Sequence, residues 1–340
     1  MELRVDAGSA SYGVTVERGL LSRAGELLDL RRRVAVVTDR GVPERYAATI
    51  ASFARNPLLI TVEEGEGSKS FRVLEELLEK MLSHGFGRSD AVVAVGGGVV
   101  GDLAGFAASL YMRGIDFYNI PTTLLSMVDS SIGGKTAVNF MGVKNVIGSF
   151  YQPGRVLIDP DLVSTQTPRG IASGMAEAIK MGVTSDPELF ALFEGDDPLS
   201  HLEEILVRSL RVKAAVVAAD EKEGGLRRVL NFGHTVGHGI ESAEKGALTH
   251  GECVALGMLP VSSDRVRKRL LPVLSRAGLP TALAFDTESV MEAMRHDKKK
   301  TGDKVTLVLS DEIGSFRFEK AGEEELRGLL EKIPRKGERP

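Results

Sequence analysis

The sequence predicts an N-terminal α/β domain with a mostly parallel sheet, followed by a mainly α-helical C-terminal domain. Three observations carry this expectation. The chain has 340 residues, more than one ordinary core accommodates. In its first half, short β-rich runs alternate with amphipathic segments, the pattern of βαβ units. After residue 158 that texture gives way to long helical periodicities. The expected domains are therefore 1–158 and 159–340.

Taken in order, the β-rich runs are Tyr12–Val16, Val34–Thr38, Leu58–Val62, Ala91–Val95 and Asp116–Ile120. The clearest intervening helix is Ser70–His84, where Phe71, Leu74, Leu77, Leu78, Met81 and Leu82 recur at helical spacing and Gly85 supplies the stop. A last strand, Val156–Ile158, precedes a stretch punctuated by Pro160 and Pro168. Beyond it the expected helices are Ile171–Thr184, Leu199–Asp220, Phe232–Ala243, Glu252–Leu271 and Glu323–Ile333. A hairpin of Val305–Leu309 with Ser315–Glu319 turns at Gly314.

Composition narrows the function. The formal charge of −4 and the absence of a basic half give no electrostatic footprint for nucleic acid or an anionic membrane. No apolar run approaches the roughly 18 residues that would span a bilayer. One cysteine, Cys253, excludes an internal disulfide and suits a reducing compartment. The N-terminus is charged from Glu2 onward, unlike a secretory signal, so the cytoplasm is the expected location.

Ala91–Val95 leads into Gly96-Gly97-Gly98-Val99-Val100-Gly101-Asp102, which fits G-x-G-x-x-G between a strand and a helix. Such glycines let backbone amides approach a diphosphate at a helix N-terminus. The turn follows a late strand, and no acid stands about 20 residues beyond it. Asp39, however, ends the run Val34–Thr38, where an acid accepts ribose hydroxyls and repels a 2′-phosphate, favouring NAD over NADP. Glu66 and Lys69 follow another strand end.

A second constellation has metal-ligand chemistry. His234 and His238 are spaced i,i+4 on one helical face, and His250 follows twelve residues later. Glu177 lies in the apolar stretch Gly174–Ile179, where an isolated charge is costly unless paired. Two histidines and a carboxylate with an open position form a catalytic zinc site. For any one histidine a satisfied core position is the simpler reading; the set of four points to a metal. Spacing alone selects His234 and His238 as the histidine pair. A third group of donors (Arg113, Lys135, Lys144, Asn145, Lys180, Lys213, Arg227, Asn231 and Lys298) suits a phosphate- or carboxylate-bearing substrate.

Four motifs now combine: Pro121-Thr122-Thr123-Leu124-Leu125; Asp129-Ser130-Ser131-Ile132-Gly133-Gly134-Lys135-Thr136; Gly174-Met175-Ala176-Glu177; and Asn231-Phe232-Gly233-His234-Thr235-Val236-Gly237-His238. In order and spacing they resemble the 3-dehydroquinate synthase family of sugar phosphate cyclases, over roughly Asp39 to Gly314. The resemblance implies an NAD-binding α/β domain, a helical metal-binding domain, an active site in the cleft between them, and a homodimer. The metal ligands it implies, for zinc or cobalt, are Glu177, His234 and His250, which moves His238 to the substrate side. Around substrate it places Asp129, Lys135, Lys144, Asn145, Lys180, Lys213, Arg227, Asn231, His238 and Lys298. Arg113 matches an arginine that reaches the neighbouring subunit's site. Toward NAD it places Asp39, Glu66, Lys69, Gly97, Gly98, Asp102, Thr122, Thr123 and Thr165, with Asp129, Lys135 and Lys144 serving both sides.

The implied reaction converts 3-deoxy-D-arabino-heptulosonate 7-phosphate to 3-dehydroquinate and phosphate, in the shikimate pathway to aromatic amino acids. It runs through transient oxidation, β-elimination of phosphate, reduction and aldol closure. Three departures stand out: Gly170 where the family has a glutamate, Met127 for a glutamine, and Phe140-Met141-Gly142-Val143 for a His-Pro-Leu-Gly-like stretch. Competing readings are another cyclase such as 2-deoxy-scyllo-inosose synthase, a metal-dependent alcohol or glycerol-phosphate dehydrogenase, and an inactive NAD-binding scaffold. A cyclase whose substrate lacks a carboxylate has no need of Arg227 in that role. A simple dehydrogenase leaves the Lys/Asn/Arg group unexplained, and a scaffold predicts missing ligands.

Overall fold

In the computed structural model, which describes residues 1–298 and 304–336, the buried apolar runs form one seven-stranded sheet. The chain divides into two compact units, Met1–Gln166 with Lys213–Lys222, and Thr167–Val212 with Glu223–Pro340. The single cut near residue 158 read from sequence differs in two places: the division falls after Gln166, and Lys213–Lys222 returns to the first unit.

The first unit runs β1 (Glu2–Asp6), β2 (Ser11–Val16), α1 (Ala24–Leu27), β3 (Arg33–Asp39), α2 (Glu44–Phe53), β4 (Asn56–Val62), α3 (Phe71–Ser83), β5 (Ala91–Gly96), α4 (Gly98–Leu110) and β6 (Asp116–Pro121). A hairpin of β7 (Lys135–Phe140) and β8 (Val143–Phe150) follows, then β9 (Arg155–Ile158). The sheet order is β1-β2-β9-β6-β5-β3-β4, parallel throughout except for β1 against β2. β5 is buried along its whole length, the condition under which a strand reads as an unbroken apolar run. β4 carries Pro57, tolerated because β4 is an edge strand.

The chain leaves β3 for β4 on one side and returns to β5 on the other. β3 and β5 therefore flank a topological switch point, with Val37 opposite Ala94 in register. Ligands of open α/β sheets bind outside the carboxyl ends of such strands. Asp39 ends β3, and Gly96–Gly98 joins β5 to α4. The acid thus sits on the neighbouring strand, which explains why it precedes the glycine turn in sequence. Gly105 lets α4 approach closely: a Cβ there would stand 2.6 Å from Thr136 and 3.0 Å from Phe117.

The second unit contains α5 (Pro168–Thr184), α6 (Pro187–Glu194), most of α7 (Leu202–Ala219), α8 (His234–Ala243), α9 (His250–Met258), α10 (Asp264–Arg276) and α11 (Thr287–Lys298). The hairpin β10 (Val305–Leu309) and β11 (Arg317–Ala321) and the helix α12 (Glu323–Leu330) complete it. The helix expected over Glu252–Leu271 is two helices. α9 closes at Met258, Pro260 cannot donate to a continuing helix, and Ser263 caps α10 through the Val266 amide. α9 also begins earlier than expected. Thr249 and Glu252 form a capping box, which makes His250 the first helical residue.

Glycines set the spacing of the helices that matter most. A Cβ on Gly257 of α9 would lie 2.0 Å from the Gly233 carbonyl oxygen, and one on Gly251 would lie 2.2 Å from that of Ser173. At Gly237 of α8 it would lie 2.9 Å from the Cys253 carbonyl oxygen. Only hydrogen fits, so α5, α8 and α9 meet backbone to backbone. Among the described residues no helix is long and apolar enough to cross a membrane.

Candidate active site

In the second unit this packing brings Glu177 of α5, His234 of α8 and His250 of α9 together. Nε2 of His234 lies 3.5 Å and Nε2 of His250 3.4 Å from one atom, Glu177 Oε1. Glu177 is 1% exposed, and its Oε2 is held by Lys180, itself 1% exposed and three residues on. Oε1 is buried with no donor in hydrogen-bonding geometry. A buried acceptor left without a donor costs about 1–3 kcal/mol, more when charged. Facing two imidazole nitrogens, it has the geometry of a cation ligand.

The other ring nitrogens are already engaged. Nδ1 of His234 lies 3.2 Å from the Phe232 carbonyl oxygen, and Nδ1 of His250 lies 3.0 Å from Glu241 Oε2. Anchoring one nitrogen on an acceptor turns the other toward a metal. The fit to a divalent cation is therefore good in both donor chemistry and orientation. His238 completes a triangle of rings, with centroids 5.2 Å from His234 and 5.6 Å from His250. The three histidines alone also form a possible ligand group, with ligand atoms within 4.8 Å. The pair His234 and His250 shares the carboxylate.

Electrostatics separate these groups. Burial raises the Glu177 carboxyl, but Lys180 and both histidines outweigh it and hold the carboxyl well below the ordinary range. Burial and Lys180 push His234 well below its ordinary value, keeping it neutral, the form that binds metal. Burial lowers His250 too, yet Glu177 and Glu241 override it and raise it to about 9.

Nearby, Arg227 is 2% exposed while Arg228 is exposed. Both lie in a 3-10 segment, Leu226–Asn231, rather than in an early start of α8. Asn231 Nδ2 donates to Glu223 Oε1 over 2.8 Å. Lys298 ends α11, and its side chain lies outside the described residues.

In the first unit, Asp39 Oδ1 accepts from the amides of Gly41 (2.8 Å) and Val42 (3.2 Å), which fixes the carboxylate at the end of β3. Burial lifts its pKa, with Glu64 adding to the effect against those two donors. Gly97 caps α4, and a Cβ there would meet the Thr123 side chain at 3.1 Å; one on Gly98 would meet Ser130 Oγ at 3.1 Å. The Thr122 amide donates to the Gly96 carbonyl oxygen (2.9 Å), and Thr123 Oγ1 accepts from the Ser126 amide (3.2 Å).

Lys69 is buried and joins several expected residues. Its ammonium contacts Asp102 (2.7 Å), Glu66 (3.7 Å) and Asn145. Burial raises the Asp102 carboxyl, which the Lys69 charge opposes. Asn139, not singled out from sequence, ties this group together: it donates to Glu66 Oε1 (2.9 Å), and its Oδ1 accepts from the Asn145 amide (2.8 Å). Asp129 lies in a π-helical turn, Ser126–Ser130, of the kind frequent at functional sites, and pairs with Lys213 at 2.7 Å.

The remaining expected residues are exposed at the surface. Lys135 and Lys144 are exposed on the β7–β8 hairpin. Thr165 is exposed and its hydroxyl donates to the Leu162 carbonyl (2.9 Å). Arg113 is exposed in the run Met112-Arg113-Gly114, whose φ values of 50°, 69° and 116° are all positive. Two consecutive non-glycine residues there mark stored strain, which concentrates at functional positions.

Glu223 and Glu241, which contact Asn231 and His250, were also not singled out from sequence. The departures are accommodated: Met127 is fully buried, where glutamine would need hydrogen-bond partners, and Met141 with Gly142 makes the two-residue turn between Phe140 and Val143.

The switch-point crevice and the His/Glu cluster define a class: proteins that pair a dinucleotide-type α/β unit with a helical unit able to hold a divalent metal. Several solved structures share the fold. A probable glycerol dehydrogenase from Sinorhizobium meliloti 1021 matches with TM-score 0.61 at 16% identity, over 94% of this chain and 95% of that one. A 2-deoxy-scyllo-inosose synthase complexed with carbaglucose-6-phosphate, NAD+ and Co2+ matches at 0.88 and 25%, covering 97% and 99%. A 2-epi-5-epi-valiolone synthase from Streptomyces hygroscopicus subsp. jinggangensis 5008, with NAD+ and Zn2+ bound, matches at 0.87 and 28%, covering 95% and 97%.

The family models for the N-terminal and C-terminal parts of 3-dehydroquinate synthase match residues 59–173 and 174–300. A 3-dehydroquinate synthase of Streptococcus pneumoniae serotype 19F (strain G54) is 39% identical, over 98% of this chain and all of that protein. The chain belongs to the 3-dehydroquinate synthase family.

Proposed function

We propose that this chain converts 3-deoxy-D-arabino-heptulosonate 7-phosphate to 3-dehydroquinate and phosphate, as a phosphate-eliminating lyase dependent on NAD and one divalent metal. The observation that supports it most is Glu177 Oε1, buried without a donor and approached by Nε2 of both His234 and His250. Glu177, His234 and His250 are read as the metal ligands, and His238 as a substrate group. Bound NAD supplies a hydride acceptor, and the metal a Lewis acid at the oxidised carbon.

The chain's own residues bind and orient. Asp39 accepts the adenosine ribose hydroxyls, and the α4 N-terminus at Gly97 and Gly98 receives the diphosphate. Lys180 keeps Glu177 ionised. Arg227 offers the substrate carboxylate a planar, two-pronged donor that lysine does not reproduce. Lys135, Lys144, Asn145, Lys213, Asn231 and Lys298 supply further donors for phosphate and hydroxyls, with Asp129 opposite Lys213. The reading extends to a cytoplasmic homodimer in which Arg113, exposed on its strained turn, serves the neighbouring copy.

The test is phosphate release from the heptulosonate phosphate, measured beside glucose 6-phosphate. Release from the first alone is expected. Release from glucose 6-phosphate alone would assign the chain to a different cyclase reaction.

A further inference from the structure

We propose that Glu241 is a positioning residue for the metal site, fixing the tautomer and orientation of His250 from the neighbouring helix. The inference rests on the ligand reading above and concerns a residue outside that ligand set.

Glu241 lies on α8, seven residues after His234 and so on the same helical face. Its Oε2 is 3.0 Å from Nδ1 of His250, the first residue of α9. An ionised carboxylate only accepts, so Nδ1 carries the proton and donates. In the neutral ring, the form that takes a metal, the lone pair then resides on Nε2, the atom 3.4 Å from Glu177 Oε1. The pairing also holds the ring, which is 32% exposed and less enclosed than His234 at 12%.

The two histidines differ in what holds them. His234 Nδ1 faces the Phe232 carbonyl, which every residue at that position would supply. His250 depends on a side chain, so its orientation is encoded by one replaceable residue. The same contact bridges α8 and α9, which carry the two histidines. Outer partners of this kind are typically worth 10–100-fold in metal affinity.

The experiment measures Co2+ affinity by competition with a chelator for the full chain and for Glu241→Gln, Glu241→Ala and His250→Ala. The Co2+ absorption spectrum and the melting of each metal-free protein are recorded alongside. Glu241→Gln retains an acceptor and the side-chain shape, so it keeps the test available should Glu241→Ala not fold. The expected result is a 10–100-fold loss of affinity for Glu241→Ala and a smaller but measurable loss for Glu241→Gln, whose neutral carbonyl is a weaker acceptor. Both metal-free variants should stay folded with only a modest drop in melting temperature, and a Co2+ spectrum of the parent's type should be retained.

Affinity unchanged in both Glu241 variants overturns the proposal, because His250 is then held without Glu241. A loss equal to that of His250→Ala, with the same altered spectrum, also overturns it and makes Glu241 a ligand. If the parent binds no Co2+, or His250→Ala binds it as well as the parent, the ligand reading itself fails and this inference falls with it.

Discussion

Replacing Gly257 by alanine should empty the metal site without touching a ligand. The new Cβ would stand 2.0 Å from the Gly233 carbonyl oxygen and 2.7 Å from the Gly237 amide nitrogen. Both obstacles are backbone, so no side-chain rotation relieves them. To reach even the 3.4 Å of ordinary contact, α8 and α9 must part by about 1.4 Å along that line. Metal–nitrogen bonds of about 2.0–2.1 Å tolerate deviations of about 0.2 Å. The shift therefore exceeds the tolerance several-fold, while overpacking costs about 1–3 kcal/mol of stability, which a folded domain can survive. Gly328 of α12 is the control, since nothing lies within 4 Å of its Cβ position; there alanine should be neutral or stabilise by up to about 1 kcal/mol. The assay is metal content after gel filtration, with circular dichroism to establish folding. Gly257→Ala that folds and keeps a full metal equivalent would refute the argument that backbone contact sets the ligand geometry.

Three further outcomes follow from the same geometry. His250→Ala should purify with little zinc or cobalt, while His238→Ala keeps nearly a full equivalent and turns over poorly; elemental analysis showing the reverse would restore the i,i+4 pair. His250 is raised from about 6.5 to about 9 in the metal-free chain, so this pairing stabilises that form below pH 6.5 and is lost as pH rises through 9. Between those values metal uptake should release about one proton, and affinity should climb about tenfold per pH unit; calorimetry in two buffers and a flat pH profile would count against it. Gly170→Glu should stabilise α5 by about 1 kcal/mol, because Thr167 already accepts from the Gly170 amide at 3.1 Å and the box lacks its acid partner; an unchanged melting temperature would contradict this.

The legible parts of the fold were those where burial imposes a pattern. β3, β5 and β6 are shielded on both faces, so they read as apolar runs bounded by turns. β8 is largely exposed and carries Lys144 and Asn145, so it offers no apolar period by which a strand is recognised. The division of Glu252–Leu271 into two helices was signalled by Pro260 and Ser263, but the apolar spacing spoke louder.

The site was legible wherever its chemistry is rare. A glutamate in an apolar helix and three histidines in seventeen residues invite a metal reading. That His250 joins His234 at Glu177 was not legible from spacing, because it depends on two helices meeting through Gly233 and Gly257. Glu241, Glu223 and Asn139 looked like ordinary surface polar residues. Each contacts an expected site residue, and that relation exists only in three dimensions.

The central claim is that hydride is removed and returned within one turnover. The most direct measurement follows phosphate release from the heptulosonate phosphate together with the absorbance of reduced nicotinamide, with NAD+ supplied in excess. The account predicts many equivalents of phosphate per subunit while the NADH signal stays at or below one equivalent of enzyme. NADH rising in step with product would make the chain a simple dehydrogenase and contradict the account.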